Sequence, residues 1–169
     1  MMFNWFQKRQ CLGTLILGAM FALAVPQISA QSENSDTGLQ GTWRVQVNVI
    51  NCATGANLGP SFSSLLAFAR GGTLTGTTRN PSFQPGQRTG DFGVWSQNGN
   101  DTYSADSEAF ILFSGTSAPF FQSGTQKISQ YIKLSGDSFD SVAITSFYST
   151  NGTLLLSGCA HAVGTRYVM

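Results

Sequence analysis

The chain has 169 residues, with nine Lys or Arg against eight Asp or Glu, a formal net charge of +1, and only 10% charged residues. A charge so sparse and balanced offers no electrostatic footprint for nucleic acid, so no nucleic-acid partner is expected. The size fits a single domain, and 19 Gly with 13 Phe suit an all-β chain rich in turns.

Lys8 and Arg9 precede an apolar run over 12–25, and Ile28-Ser29-Ala30 is an acceptable cleavage site. This is the layout of a secretory signal peptide over residues 1–30. The run is shorter than the roughly twenty residues a bilayer span needs, so no stable membrane anchor is expected after cleavage. The protein is therefore expected to be exported, either to the periplasm or into the medium. Cys11 is lost with the signal, and Cys52 and Cys159 remain. An even cysteine count in an exported chain reads as a disulfide.

Residues 31–39 are polar and read as a flexible N-terminal tail. Residues 40–169 read as one domain. In its first stretch, 41–52, Trp43, Val45, Val47 and Val49 alternate with Arg44, Gln46 and Asn48. Alternation of this kind gives a strand one apolar and one wet face. A loop over 53–60 leads to a second strand marked by Phe62, Leu66 and Phe68. A short, Thr-rich third strand is expected over 73–78. A long loop follows over 79–90, with two Pro and two Gly. The fourth strand is expected over 91–96, with Phe92 and Val94 on one face.

Asn98-Gly99 signals a turn into a fifth strand over 102–114, where Tyr103, Ala105, Ala109, Ile111 and Phe113 share a phase. A second long loop, 115–124, is tipped by Pro119-Phe120-Phe121. The sixth strand is expected over 127–134 and the seventh over 139–149. Asn151-Gly152 is a hairpin signal into an eighth strand over 154–167. No stretch of the domain has a helical period.

If the first and last strands pair antiparallel, one register brings Trp43 beside Arg166 and, within a two-residue slip, Cys52 beside Cys159. A two-residue slip preserves the faces of a strand, whereas one residue inverts them. Eight sequential strands whose ends meet make an eight-stranded antiparallel up-and-down meander barrel, which leaves no exposed sheet edge. A β-sandwich is the alternative. Its bridging cysteines would sit in interior strands, whereas Cys52 and Cys159 sit in the first and last.

Gly41-Thr42-Trp43 at the start of the first strand and Arg166 near the end of the last resemble the signature of the calycins, the lipocalins and their relatives. The resemblance implies a lipocalin-like barrel in which Gly41 and Trp43 form the floor and Arg166 lies across the indole. Small exported barrels of the allene-oxide-cyclase and dirigent type are similar in size and pattern.

Such a barrel is just wide enough to be filled by side chains or to hold one small ligand. Val45, Val47, Val49, Phe62, Leu66, Phe68, Ile111, Phe113, Ile132 and Phe147 are the expected inward, ligand-lining residues, interrupted by Ser64, Ser107 and Gln130. An apolar cavity with a few placed polar groups is what a small-molecule site requires. Cys159 and His161 share a strand face, so a metal site completed by Cys52 is the rival to the disulfide, but it lacks a fourth ligand and no metal or other cofactor is assigned. His161, the only histidine, is the natural general base, yet no nucleophile motif accompanies it and no catalytic residue is assigned. Asp106 and Glu108 share a face opposite to Tyr103 and are expected in solvent. Phe120 and Phe121 are expected to cap the barrel end or to offer a patch.

Three functions follow. The leading one is binding of a small apolar ligand in the barrel interior. The others are a filled barrel acting as a structural or protein-interaction module, and a cyclase or isomerase using the same cavity.

Overall fold

A computed structural model describes residues 38–113 and 123–168. The described chain is all-β: β1 (Gly41–Ile50), β2 (Phe62–Ala69), β3 (Thr73–Thr78), β4 (Asp91–Gly99), β5 (Thr102–Ile111), β6 (Gly124–Ser135), β7 (Ser138–Ser149) and β8 (Leu154–Arg166). Each strand pairs antiparallel with the next, and β8 returns to β1, so the sheet closes into a meander barrel. A single closed sheet excludes the β-sandwich. The signal peptide 1–30, the tail up to residue 37 and the Pro119-Phe120-Phe121 tip lie outside the described residues.

The seam has the register that the sequence implies. Trp43 pairs with Arg166, and the ladder continues without a slip to Ile50 opposite Cys159. Cys52 lies just past the last pair, and its disulfide reaches back to Cys159 with the two Cα atoms 5.2 Å apart. The bridge closes a separation of 107 residues, for which chain entropy gives about 4–5 kcal/mol of stabilisation. It also consumes both thiolates that the rival metal site needed.

Local chemistry explains where the strands stop. The Asn51 side-chain oxygen accepts the backbone N–H groups of Ala53 and Thr54, at 2.9 and 3.0 Å. This turn competes with the ladder and ends β1 at Ile50 rather than at Cys52. β4 runs past Ser96 to Gly99 because an irregularity between Gln97 and Gly99 absorbs the turn. β5 ends at Ile111, and β6 begins at Gly124, earlier than the charged pattern of Lys127 suggests.

One end of the barrel is a packed floor. Trp43, Phe68, Leu74, Phe139 and Ile132 are sealed there with Leu39. Trp43 and Phe139 rings tilt against each other at 5.0 Å, and Phe68 meets Phe139 edge-on at 6.5 Å. The Phe139 ring lies directly on Gly164, where any Cβ would collide with it. Arg166 stands 4.4 Å above the Trp43 ring centroid, a contact worth about 0.5–2 kcal/mol. Its guanidinium donates to the carbonyls of Gln40 and Gly38 and to Asp137, at 2.6, 2.8 and 2.7 Å.

These contacts correct the expected extent of the tail. Gly38 and Leu39 belong to the barrel: Leu39 is fully buried, and its carbonyl accepts the Trp43 indole N–H at 2.9 Å. A single Leu in a polar run carries no periodic signal. Only the closed floor creates the socket it fills.

Candidate functional site

The ends of the barrel differ. Along β1, the inward side chains pass from sealed Trp43 and Val45, through half-buried Val47, to Val49 at 37% exposure. β8 repeats the gradient on its inward positions: Ala162 is buried, Ala160 and Gly158 are half-buried, and Leu156 is exposed. On β7, Phe139 and Ser141 are sealed while Ala143, Thr145 and Phe147 are half-buried. The lower half is therefore core, and solvent reaches the upper half along β7, β8, β1 and β2.

This divides the expected lining residues. Val45, Phe68 and Ile132 are packed floor rather than lining, as they are fully or nearly fully buried. Leu66 is half-buried against the same cluster. Val47, Val49, Phe62, Ile111 and Phe147 are the members that surround the open half. Phe113 lies past the end of β5 and is buried, and its carbonyl accepts the Gln87 side-chain N–H at 3.0 Å. The polar positions Ser64 and Gln130 also face inward: Ser64 bonds to Thr77 and Thr78, and Gln130 donates to Ser141 at 2.8 Å.

The opposite side of the mouth is closed by a polar wall that the sequence did not reveal. Arg88 and Asp91 form a bidentate ion pair with side chains 5% and 3% exposed. Arg88 Nε donates to Gln126 Oε1 at 2.5 Å, and Gln126 Nε2 donates to Thr145 Oγ1 at 2.7 Å. A guanidinium can only donate, so the Gln126 amide orientation is fixed, and its N–H must face Thr145. Thr145 accepts that bond and has its own O–H left to donate. The chain of bonds thus delivers a hydroxyl donor to the edge of the open half. The 79–90 loop brings Arg88 here, bridging to Ile111 and setting Phe83 against Phe147 at 6.2 Å and 6.0 Å from Arg88.

The apolar pattern of β4 carries no sign of this wall. Phe92 and Val94 make the obvious apolar face of β4, but both are exposed on the outside, and the inward face is Asp91, Gly93 and Trp95. Gly93 is forced by proximity, since a Cβ there would strike Asp106 O and Ser107. Gln126 shares its phase with Ile128 and Ile132, so extending the β6 pattern one step would have placed it inside.

The remaining candidates lie on the outer face. His161 Nε2 sits 2.8 Å from Asp140 Oδ2 between the wet faces of β7 and β8, with no nucleophile bonded to it. Asp106 accepts from Ser129 at 2.6 Å, and Glu108 stands 3.7 Å from Lys127. Neither carboxylate enters the barrel. Phe120 and Phe121 lie outside the described residues.

Two clefts lie elsewhere. One of about 490 Å³ sits beside the floor between Leu39, Gln40, Trp95 and Asp101. The other, of about 510 Å³, is a groove on the outside of β5 to β8 near Tyr131, Val142, Ile144 and the disulfide. The first is open and mostly polar, and the second is a shallow trough between outward side chains. Neither joins an apolar body site to convergent polar groups. No protein-family model matches the chain, and no curated protein matches it in sequence.

Proposed function

We propose that this protein is a calycin-like exported barrel that binds one small, largely apolar molecule in its open upper half. The observation that carries the reading is the exposure gradient along β1, from sealed Trp43 to Val49 at 37%. A barrel filled for stability alone would bury its inward valines alike. Here the apolar body of a ligand would rest against Val47, Val49, Phe62 and Phe147. Its polar end would meet the Thr145 hydroxyl and the Gln130 amide. Arg88 is already neutralised by Asp91, so the wall favours an uncharged acceptor such as a carbonyl over a carboxylate. Export agrees with the disulfide, which persists in oxidising compartments.

The test is native mass spectrometry of protein purified from its own exported fraction, compared with its denatured mass. Extra mass present only in the native spectrum supports the reading. A second arm uses the fluorescent probe N-phenyl-1-naphthylamine with Val49→Trp, which adds bulk at the mouth without touching the floor. The parent should bind the probe and the variant should lose most of that binding. A bare native mass together with no probe binding would refute the proposal. It would also leave the filled interaction module as the better account.

A further inference from the structure

We infer that the polar cleft beside the floor is a second ligand site, and that it takes a neutral saccharide. Its walls are Gly38-Leu39-Gln40 on one side and the β4–β5 hairpin on the other, around a space of about 490 Å³. Tyr103 of β5 is 3% exposed, yet among the described residues no hydrogen bond engages its hydroxyl. No buried polar side-chain atom among these residues lacks a partner, so the Tyr103 oxygen keeps an accessible face. It stands beside Gly38, where a Cβ would come within 2.7 Å of it, and so opens on the cleft. A hydroxyl at the bottom of such a cleft needs a bonding partner from outside the fold.

The rest of the lining has the same character. Gln40, Gln97, Asn100 and Asp101 border this space, and among the described residues no hydrogen bond or ion pair engages their side chains. Trp95 borders it too. Its indole N–H is committed to the Ala69 carbonyl at 3.0 Å, so what it can give a ligand is ring surface. Phe68 meets that ring edge-on at 6.0 Å and Tyr103 tilts against it at 5.8 Å, which holds it in place.

These groups select the occupant. Side-chain amides and a phenol both donate and accept, whereas a carboxylate only accepts. Hydroxyl groups answer all of them, and a ring that carries several hydroxyls and one C–H face is a sugar. An ammonium ion would bond to Asp101 and leave the amide N–H groups idle. An anionic ligand would meet Asp101, the only charged side chain in the lining. The walls are fixed in advance. Arg166 holds the carbonyls of Gly38 and Gln40, and the Asp101 carbonyl accepts the Leu134 backbone N–H at 2.7 Å. Walls held in this way lose little freedom on binding.

The experiment titrates protein from the exported fraction with maltose, cellobiose and N,N′-diacetylchitobiose, by calorimetry and by tryptophan fluorescence. Trp43 is sealed in the floor, so a fluorescence change reports Trp95. The parent should bind at least one of these sugars. Tyr103→Phe should weaken that binding about 3- to 10-fold, yet be no less stable than the parent in urea, because its hydroxyl bonds to nothing in the fold. Asp101→Asn should weaken it about 10-fold, and asparagine tolerates the φ of 60° at this turn. N-phenyl-1-naphthylamine should not displace the sugar, which keeps this site distinct from the barrel interior. A parent that binds none of the sugars overturns the inference, as do Tyr103→Phe and Asp101→Asn variants that both bind as tightly as the parent. Displacement by the naphthylamine, or a loss of stability in Tyr103→Phe, overturns it as well. Binding of tetramethylammonium with no sugar bound overturns it in favour of a cation.

Discussion

Trp43 ties three parts of the floor together. It is fully buried, its indole N–H is bonded to Leu39, Phe139 tilts against it and Arg166 covers it. Trp43→Ala should therefore cost about 3–5 kcal/mol in urea denaturation, as large aromatic deletions in cores do. Arg88 and Asp91 call for a different argument. Removing the guanidinium alone would strand a buried carboxylate, so Arg88→Met should destabilise by about 3–5 kcal/mol. Replacing both members with apolar residues of similar volume should cost far less, because neither charge is then left uncompensated. A double-mutant cycle by denaturant titration checks this, and additive losses would show that the pair does not act as a unit. Gly164 has a simpler constraint. Its hydrogen is what lets the Phe139 ring lie on β8, so Gly164→Ala should cost about 1–3 kcal/mol through overpacking.

Among the elements, the β1–β8 seam was the most legible in the sequence. Period-two alternation fixed the inward face of β1, and the cysteine and Trp–Arg positions gave its partner and a register to within two residues, of which the structure adopts the Trp43–Arg166 one. Cys52→Ser with Cys159→Ser should lose about 4 kcal/mol, measured by denaturation of oxidised protein. The parent in reductant should fall to the stability of that variant. β4 was legible only as a strand. Its two large apolar residues face solvent, because the close approach of β5 at Gly93 and the Asp91 ion pair claim the inside. The 79–90 loop was read correctly as irregular. Its role in carrying Arg88 over the mouth could not be read, since no periodicity governs where a loop side chain points. The β7–β8 hairpin was announced by Asn151-Gly152, but its overhang beyond β1 depends on Asn51 ending β1 early.

For the molecule as a whole, closure makes one end solid, and among the described residues the inward side chains at the other end are partly exposed. Large rings supplied by β1, β2, β5 and β7 converge on the floor. Small inward residues such as Ala143, Ala160 and Gly158 occupy the upper half, where the mouth admits solvent. Filling this space should separate the two readings of the barrel. Ala160→Phe should reduce N-phenyl-1-naphthylamine binding several-fold in fluorescence titration while leaving the floor intact by near-ultraviolet circular dichroism. Equal binding by the variant would place the probe outside the barrel.

The sequence by itself determined the strand count, the meander order and the seam pairing to within a two-residue slip, and it pointed to the disulfide. Each rests on local alternation, turn chemistry or a pairing of distant residues that a single register satisfies. Only the tertiary structure decided which inward residues are core and which line open space. Alternation says that a side chain points inside, but it does not say how much volume its neighbours leave. The Arg88–Asp91–Gln126–Thr145 wall was likewise decided in three dimensions. Its members come from a loop and three strands, and their polarity makes physical sense only once burial obliges them to bond to one another.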